Sequence, residues 1–126
     1  MTTTLATFAK QNTALLTTFK RDGTPVGTPV TLAVEGDHAY FHTYDAAWKV
    51  KRMRNNPEVE IAPSSLSGKT KGPAMRATVR LVEGDEAAHA KRLLARSHPI
   101  LHGVLVPVSH RLKHWKTLHY VLRPLP

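Results

Sequence analysis

Cysteine is absent from the sequence of 126 residues. Its absence excludes disulfide bonds, thiolate metal sites and cysteine nucleophiles, and it suits a cytoplasmic protein. Long apolar runs are also missing: no stretch approaches the roughly 20 residues that a membrane-spanning helix needs. The first ten residues have neither the basic region nor the apolar region of a secretory signal. We therefore predict a cytoplasmic chain with no membrane partner.

Acidic residues are scarce. Nine Asp and Glu face 18 Lys and Arg, which gives a formal net charge of +9 at pH 7. No acid lies between Ile61 and Val82, and none follows Ala87. A basic surface attracts nucleic acid, anionic lipid or an anionic small molecule. Aromatic residues make up only 6% of the chain and form no series on which bases could stack, so we predict no nucleic-acid partner.

Short alternating runs bounded by turns dominate the chain, and they predict more strands than helices. The first three predicted strands follow one another through tight turns and should form an antiparallel meander, in which Pro29 indicates an edge or irregular pairing. This order predicts one domain, residues 1–126, of mostly β (α+β) class, an antiparallel barrel or sandwich with flanking short helices. Strands are predicted at Ala14–Phe19, Val26–Val34, His38–Thr43, Glu58–Pro63, Ala74–Val82 and Leu118–Leu122, and helices at Thr3–Lys10, Ala46–Asn55 and Asp85–Ser97.

Four cations crowd into six residues directly after the third predicted strand, at Lys49, Lys51, Arg52 and Arg54. Asp45 is a suitable cap for a helix that begins there and ends before Pro57. The start of a helix offers unpaired N–H groups and a partial positive charge, so a phosphate bound there would also gain the nearby cations. Thr43, Lys49 and Arg52 are the predicted contacts of such an anion. A solvated helix face remains the alternative.

Catalytic and metal-binding patterns are weak. The sequence contains no Gly-rich phosphate loop, no informative Ser/His/Asp spacing and no paired carboxylates, so no catalytic residue is predicted. His98 and His102 are four residues apart, as are His110 and His114, a spacing that places two imidazoles on one helix face. No acidic residue accompanies either pair. We therefore interpret these histidines as surface residues and predict no metal.

The run from Phe41 through Thr43 and Lys49 to the Asn-Asn-Pro that ends at Pro57 resembles the split-barrel flavoproteins of the pyridoxamine 5′-phosphate oxidase superfamily. The resemblance implies an antiparallel split β-barrel, FMN-binding-like, in which a strand end and the next helix hold the cofactor phosphate. It also implies that the segment Thr28–Ala33 runs beside the cofactor ring. The implied cofactor-binding residues are Thr28, Val30, Thr31, His42, Thr43, Trp48, Lys49, Lys51 and Arg52.

Within that superfamily, the segments KRDGTPVGTPV, WKVKRMRNNPEVEIAP and GKTKGPAMRATVRLV are most similar to the branch of probable F420-dependent enzymes. Trp48 and Thr28 stand where the oxidase has arginines, and Gly72 stands where it has a glutamine. These differences disfavour FMN, whereas the cations after Trp48 suit the deazaflavin coenzyme F420, whose phosphate carries a polyglutamate tail. The resemblance implies a homodimer that transfers a hydride between F420 and a small-molecule substrate. An FMN- or haem-binding split barrel and a non-catalytic cofactor carrier remain alternatives.

Overall fold

The structure is a computed structural model that describes residues 3–45, 47–97 and 116–126. Its helices and strands agree with the predicted elements in type and order, except that one predicted strand, Val26–Val34, is two; the ends match or shift by up to three residues. In chain order they are α1 (Leu5–Lys10), β1 (Thr13–Phe19), β2 (Pro25–Thr31), β3 (Ala33–Glu35), β4 (His38–Tyr44), α2 (Trp48–Asn55), β5 (Glu58–Pro63), β6 (Met75–Val82), α3 (Gly84–Ser97) and β7 (Thr117–Pro124).

All seven described strands belong to one antiparallel sheet, in the order β2-β1-β5-β6-β7-β4-β3. Its two edges, β2 and β3, are separated in sequence by Leu32 alone. The sheet must therefore curl until its edges approach each other at Leu32, whose N–H donates to the carbonyl of Asn12 at 2.8 Å. This curled antiparallel sheet with short helices confirms the predicted fold class.

The predicted meander has both of its antiparallel pairings, but its second strand is not continuous. The run Val26–Val34 is divided between two strands: β2 pairs with β1, and β3 pairs with β4. The division arises because closing the curled sheet places the two halves of this run at opposite edges. Pro29 lies in the edge strand β2, as its missing N–H predicted.

The main core fills the inside of the curl. Alternate residues of β1, Ala14, Leu16 and Thr18, are fully buried, as expected for a strand with one face inward. On β4, Phe41 stacks on Tyr120 of β7 with ring centroids 5.4 Å apart. A second, smaller cluster forms on the outer face, where α3 covers it; its buried members are Tyr40, Val82, Ala90 and Val121. The inner surface of β1 and β2, together with α2, frames the site.

Candidate anion-binding groove

The helix α2 begins later than the sequence predicted. Its first helical residue is Trp48, its N-cap is Ala47, and no side chain caps it. Asp45 is not the cap. Its N–H donates to the carbonyl of Lys116 at 2.9 Å and its Oδ1 accepts from the N–H of Lys116 at 3.3 Å, next to the pairing of β4 with β7. The predicted capping by Asp45 is therefore wrong, because a partner distant in sequence holds that residue.

The two faces of α2 separate as its periodicity predicted. Val50 and Met53 are buried against the sheet, where α2 contacts β1. Lys49 and Arg52 lie on the neighbouring flank, three residues apart, and both line a groove between α2, the β1–β2 turn and β2. The apolar face thus fixes the orientation of the helix, and this orientation aims the two cations into one space.

The groove has a volume of about 940 Å³, a size that suits a small organic ligand. Its walls combine apolar side chains with cations, and none of its described lining residues is acidic. Within the described part of the chain, none of the lysines and arginines that line the groove forms a salt bridge. The groove therefore concentrates positive charge that no described salt bridge neutralises. The cations are Lys20, Arg21, Lys49, Lys51 and Arg52.

Lys49 is a partly desolvated cation of the groove. Its side chain is half-buried, and burial, followed by the nearby charge of Arg52, lowers the pKa of Lys49 from its ordinary value. Both causes disfavour the ammonium form. An anion bound in the groove would favour the ammonium form and so oppose both causes, which makes Lys49 a suitable contact for a negatively charged ligand.

Arg52 is anchored to the sheet by a hydrogen bond. Its Nε donates a hydrogen bond of 2.6 Å to the hydroxyl of Thr18, which is fully buried on β1. The hydrogen bond joins the exposed flank of α2 to the inside of the curled sheet. It fixes the guanidinium near the groove wall, rather than leaving it on a freely moving side chain.

Trp48 and Thr28 mark the rim and the wall of the groove. Trp48 is 72% exposed, and the Nζ of Lys51 lies 5.6 Å from its ring centroid, within the range of a cation–π contact. The Thr28 hydroxyl oxygen is buried and has no hydrogen-bond partner among the residues that the structure describes. A buried polar atom without a partner is unfavourable, so a ligand atom that hydrogen-bonds Thr28 would remove that cost.

The structure brings five of the nine predicted cofactor-binding residues together in the groove: Thr28, Trp48, Lys49, Lys51 and Arg52. The other four do not line it. Val30 is buried in the core, Thr43 is buried at the end of β4, and Thr31 and His42 are half-buried. The predicted convergence of Thr43 with Lys49 and Arg52 is therefore not seen. Position in sequence placed Thr43 near the helix start, but its side chain is buried at the end of β4 and is not among the residues that line the groove.

Sequence reasoning missed several residues of the site. Lys20 and Arg21 were interpreted only as part of a turn, yet the turn places both at the groove beside Phe19. Their adjacent charges were the available signal. Val26 and Asn55 also line the groove, and no local pattern distinguished them. Thr18 lies beneath the groove, and nothing in the sequence connects it to Arg52.

Two further features were sought in the described ranges: a cluster of metal-binding side chains and a membrane-spanning helix. Residues 3–45, 47–97 and 116–126 contain no group of three or more His, Asp or Glu that could hold a metal ion. Among the helices described here, none has the length and apolar character to cross a membrane. The histidine pairs His98/His102 and His110/His114 lie outside the described residues.

Comparison with known proteins identifies the family. The family model described as pyridoxamine 5′-phosphate oxidase matches residues 1–112. The chain belongs to the pyridoxamine 5′-phosphate oxidase family. A search of curated proteins finds no match.

Solved structures share the split-barrel fold of this family at low identity. HutZ, the heme storage protein of Vibrio cholerae, is 16% identical with a TM-score of 0.68 over 97% of this chain and 88% of HutZ. An F420 reductase is 18% identical with a TM-score of 0.65 over 100% of this chain and 96% of that protein. A NimC/NimA family protein of Clostridium acetobutylicum is 20% identical with a TM-score of 0.60 over 94% of this chain and 76% of its own. At these identities the likeness establishes the fold alone.

Proposed function

We propose that this protein is an F420-dependent oxidoreductase, which transfers a hydride between the deazaflavin and a small organic substrate. The observation that carries the proposal is the groove, where five cations without a described salt-bridge partner surround a space of about 940 Å³. A ligand that carries a phosphate and several carboxylates matches such a surface better than a ligand with one phosphate. The similarity in fold to an F420 reductase also supports the choice of F420 as the cofactor.

The residues of the groove fit this cofactor in character. Lys49 and Arg52 would hold its phosphate with charge-assisted hydrogen bonds. The buried Thr28 hydroxyl, which has no partner in the described ranges, would hydrogen-bond a polar atom of the ligand, and the exposed ring of Trp48 offers an apolar surface at the rim. When bound, the deazaflavin would supply the ring carbon that accepts or donates the hydride. The chain would bind and orient it and keep water away, which requires no side-chain nucleophile.

We further propose that the protein works as a homodimer in the cytoplasm. The groove is open, and Trp48 at its rim is 72% exposed. A ligand or a second subunit that covered this ring would remove its apolar surface from water, which is favourable. A second copy of the chain would cover the groove and exclude water from the bound ring. Light scattering of the purified protein should give about twice the monomer mass; the monomer mass would contradict the dimer.

A side-by-side titration with F420 and FMN tests the cofactor. Because Trp48 and Thr28 replace the two arginines of the oxidase, we expect F420 to bind at least about tenfold tighter, a difference of about 1.4 kcal/mol. Equal or reversed affinities would contradict the F420 proposal in favour of a flavin. The absorbance of the purified protein separates deazaflavin, flavin and haem. Turnover with an artificial electron acceptor distinguishes an enzyme from a carrier of the cofactor.

A further inference from the structure

Thr18 is a buried polar residue next to the groove, and its hydroxyl accepts the Arg52 Nε–H at 2.6 Å. The side chain of Thr18 is fully buried on the inward face of β1. Its cross-strand neighbour on β2 is Val26, which lines the groove. Thr18 therefore lies directly under the wall of the site but has no access to solvent.

The hydrogen bond to Thr18 determines how Arg52 can meet a ligand. A guanidinium carries five N–H donors in one plane, and it binds two oxygens either from its side, through Nε and one terminal nitrogen, or from its end, through both terminal nitrogens. The bond to Thr18 occupies Nε and removes the side arrangement. Neither terminal nitrogen of Arg52 hydrogen-bonds any other described residue. The end of the guanidinium is therefore available to the groove.

Nearby charge makes this anchoring necessary. Lys49 shares the groove with Arg52, and the repulsion between the two cations contributes to the lowered pKa of Lys49. An arginine without an anchor would relax away from the lysine toward solvent. The hydroxyl of Thr18 holds it in place against that repulsion, so that both cations can contact one anion.

We propose that Thr18 is a positioning residue of the groove, which fixes Arg52 so that its two terminal nitrogens bind two oxygens of a phosphate-type oxyanion. This inference rests on the proposed function in one respect, namely that the groove holds an anionic cofactor. The alternative is a structural role, in which the Thr18–Arg52 hydrogen bond only tethers α2 to the sheet.

The test replaces the Thr18 hydroxyl by a methyl group of similar size, in Thr18→Val. Thr18→Ser restores the hydroxyl. Thr17→Val is the matched control, because it makes the same change on the same strand with the side chain on the opposite face. Binding of F420 and of FMN is measured for each variant at several salt concentrations, together with a melting curve. The same Thr18→Val change is repeated in an Arg52→Ala background.

If Thr18 positions Arg52, Thr18→Val should weaken F420 binding about five- to tenfold at low salt. It should also flatten the salt dependence toward that of Arg52→Ala, because an ion contact is lost. Thr18→Ser and Thr17→Val should bind within about twofold of wild type. In the Arg52→Ala background, Thr18→Val should change the affinity less than about twofold, because the residue acts through Arg52.

Three results would overturn the inference while the proposed function stands: wild-type affinity in Thr18→Val, weakened binding with an unchanged salt dependence, or an undiminished effect in the Arg52→Ala background. The second of these is the signature of a structural tether. If FMN binds and F420 does not, the F420 proposal fails, and the Thr18 inference is then tested by the FMN affinities of the same variants. If wild-type protein binds neither, both proposals fail at the first measurement, before any variant is compared.

Discussion

Replacing Lys49 by alanine separates a ligand site from a solvated helix face. Lys49 is half-buried in the groove, and its pKa is lowered by burial and by the charge of Arg52. A cation and an anion about 4 Å apart interact by about 1 kcal/mol in bulk water and by about 4 kcal/mol at the effective dielectric near a protein surface. Charge-assisted hydrogen bonds measured by mutation fall between these limits, at about 1.5–3 kcal/mol. Lys49→Ala should therefore weaken F420 binding by about ten- to a hundredfold.

The same substitution should not weaken the fold. Burial and repulsion from Arg52 act against the charged form of Lys49, and alanine has the highest helix propensity. Because the folded-state pKa of Lys49 lies below its unfolded value of about 10.5, folding disfavours its proton, and stability should rise as pH increases through that lowered pKa. The melting temperature of Lys49→Ala at neutral pH should therefore equal or slightly exceed that of wild type. A substitution that weakens ligand binding but leaves stability equal or higher is typical of a residue whose role is to bind a ligand.

The assay is a binding isotherm for each variant at low and moderate salt, with a melting curve alongside. Lys91→Ala is the charge-matched control, because Lys91 is exposed on α3 and does not line the groove. The difference between wild type and Lys49→Ala should shrink as salt rises, since screening already weakens the wild-type attraction. If Lys49→Ala and Lys91→Ala bind F420 equally well, Lys49 does not contact the ligand and the cations of α2 form a solvated face.

Two further predictions concern the edge of the sheet around β3. Glu35 accepts hydrogen bonds from His89 at 2.7 Å and from His38 at 3.1 Å. These hydrogen bonds, chiefly that from His89, lower the pKa of Glu35 below its ordinary value of 4.5. A carboxyl group with a lowered folded-state pKa stabilises the fold at pH values above its unfolded-state pKa, and this stabilisation is lost as pH falls through the folded-state pKa. Glu35→Gln should therefore lower the melting temperature at pH 7, and the difference from wild type should shrink in acid. A difference that does not depend on pH would contradict this. Gly36 has a φ of +61°, and a Cβ atom added there would meet no neighbouring atom. Gly36→Ala should therefore lower the free energy of unfolding by about 1 kcal/mol, or the melting temperature by roughly 4 °C, from backbone strain alone. An unchanged melting temperature would refute that reasoning.

Local patterns were sufficient to predict the secondary structure and the orientation of α2. Alternation with a period of two predicted the strand Glu58–Pro63 with both ends correct, because side chains on a strand point to opposite faces. Apolar residues three apart predicted that Val50 and Met53 face the core, which leaves Lys49 and Arg52 on one flank. These features depend on neighbours within about a turn of helix or a few residues of strand, so the chain encodes them locally.

Features that depend on distant partners could not be predicted in this way. Asp45 carries a strong local signal for a helix cap, but its contacts with Lys116, 71 residues away, replace that role. The run Val26–Val34 alternates like one strand, yet closing the curled sheet divides it between two edges. In both cases a long-range pairing satisfies backbone hydrogen bonds that a local pattern would have assigned elsewhere.

The site shows the same division. The sequence by itself determined that this protein concentrates positive charge around Lys49, on the helix that follows Tyr44. Tertiary structure alone decided which residues share the space: it buried Thr43, brought the β1–β2 turn with Lys20 to the groove, and set Thr18 under Arg52 from 34 positions away. A groove is formed by surfaces that are distant in sequence, and the curl of the sheet that joins them follows from packing the whole core.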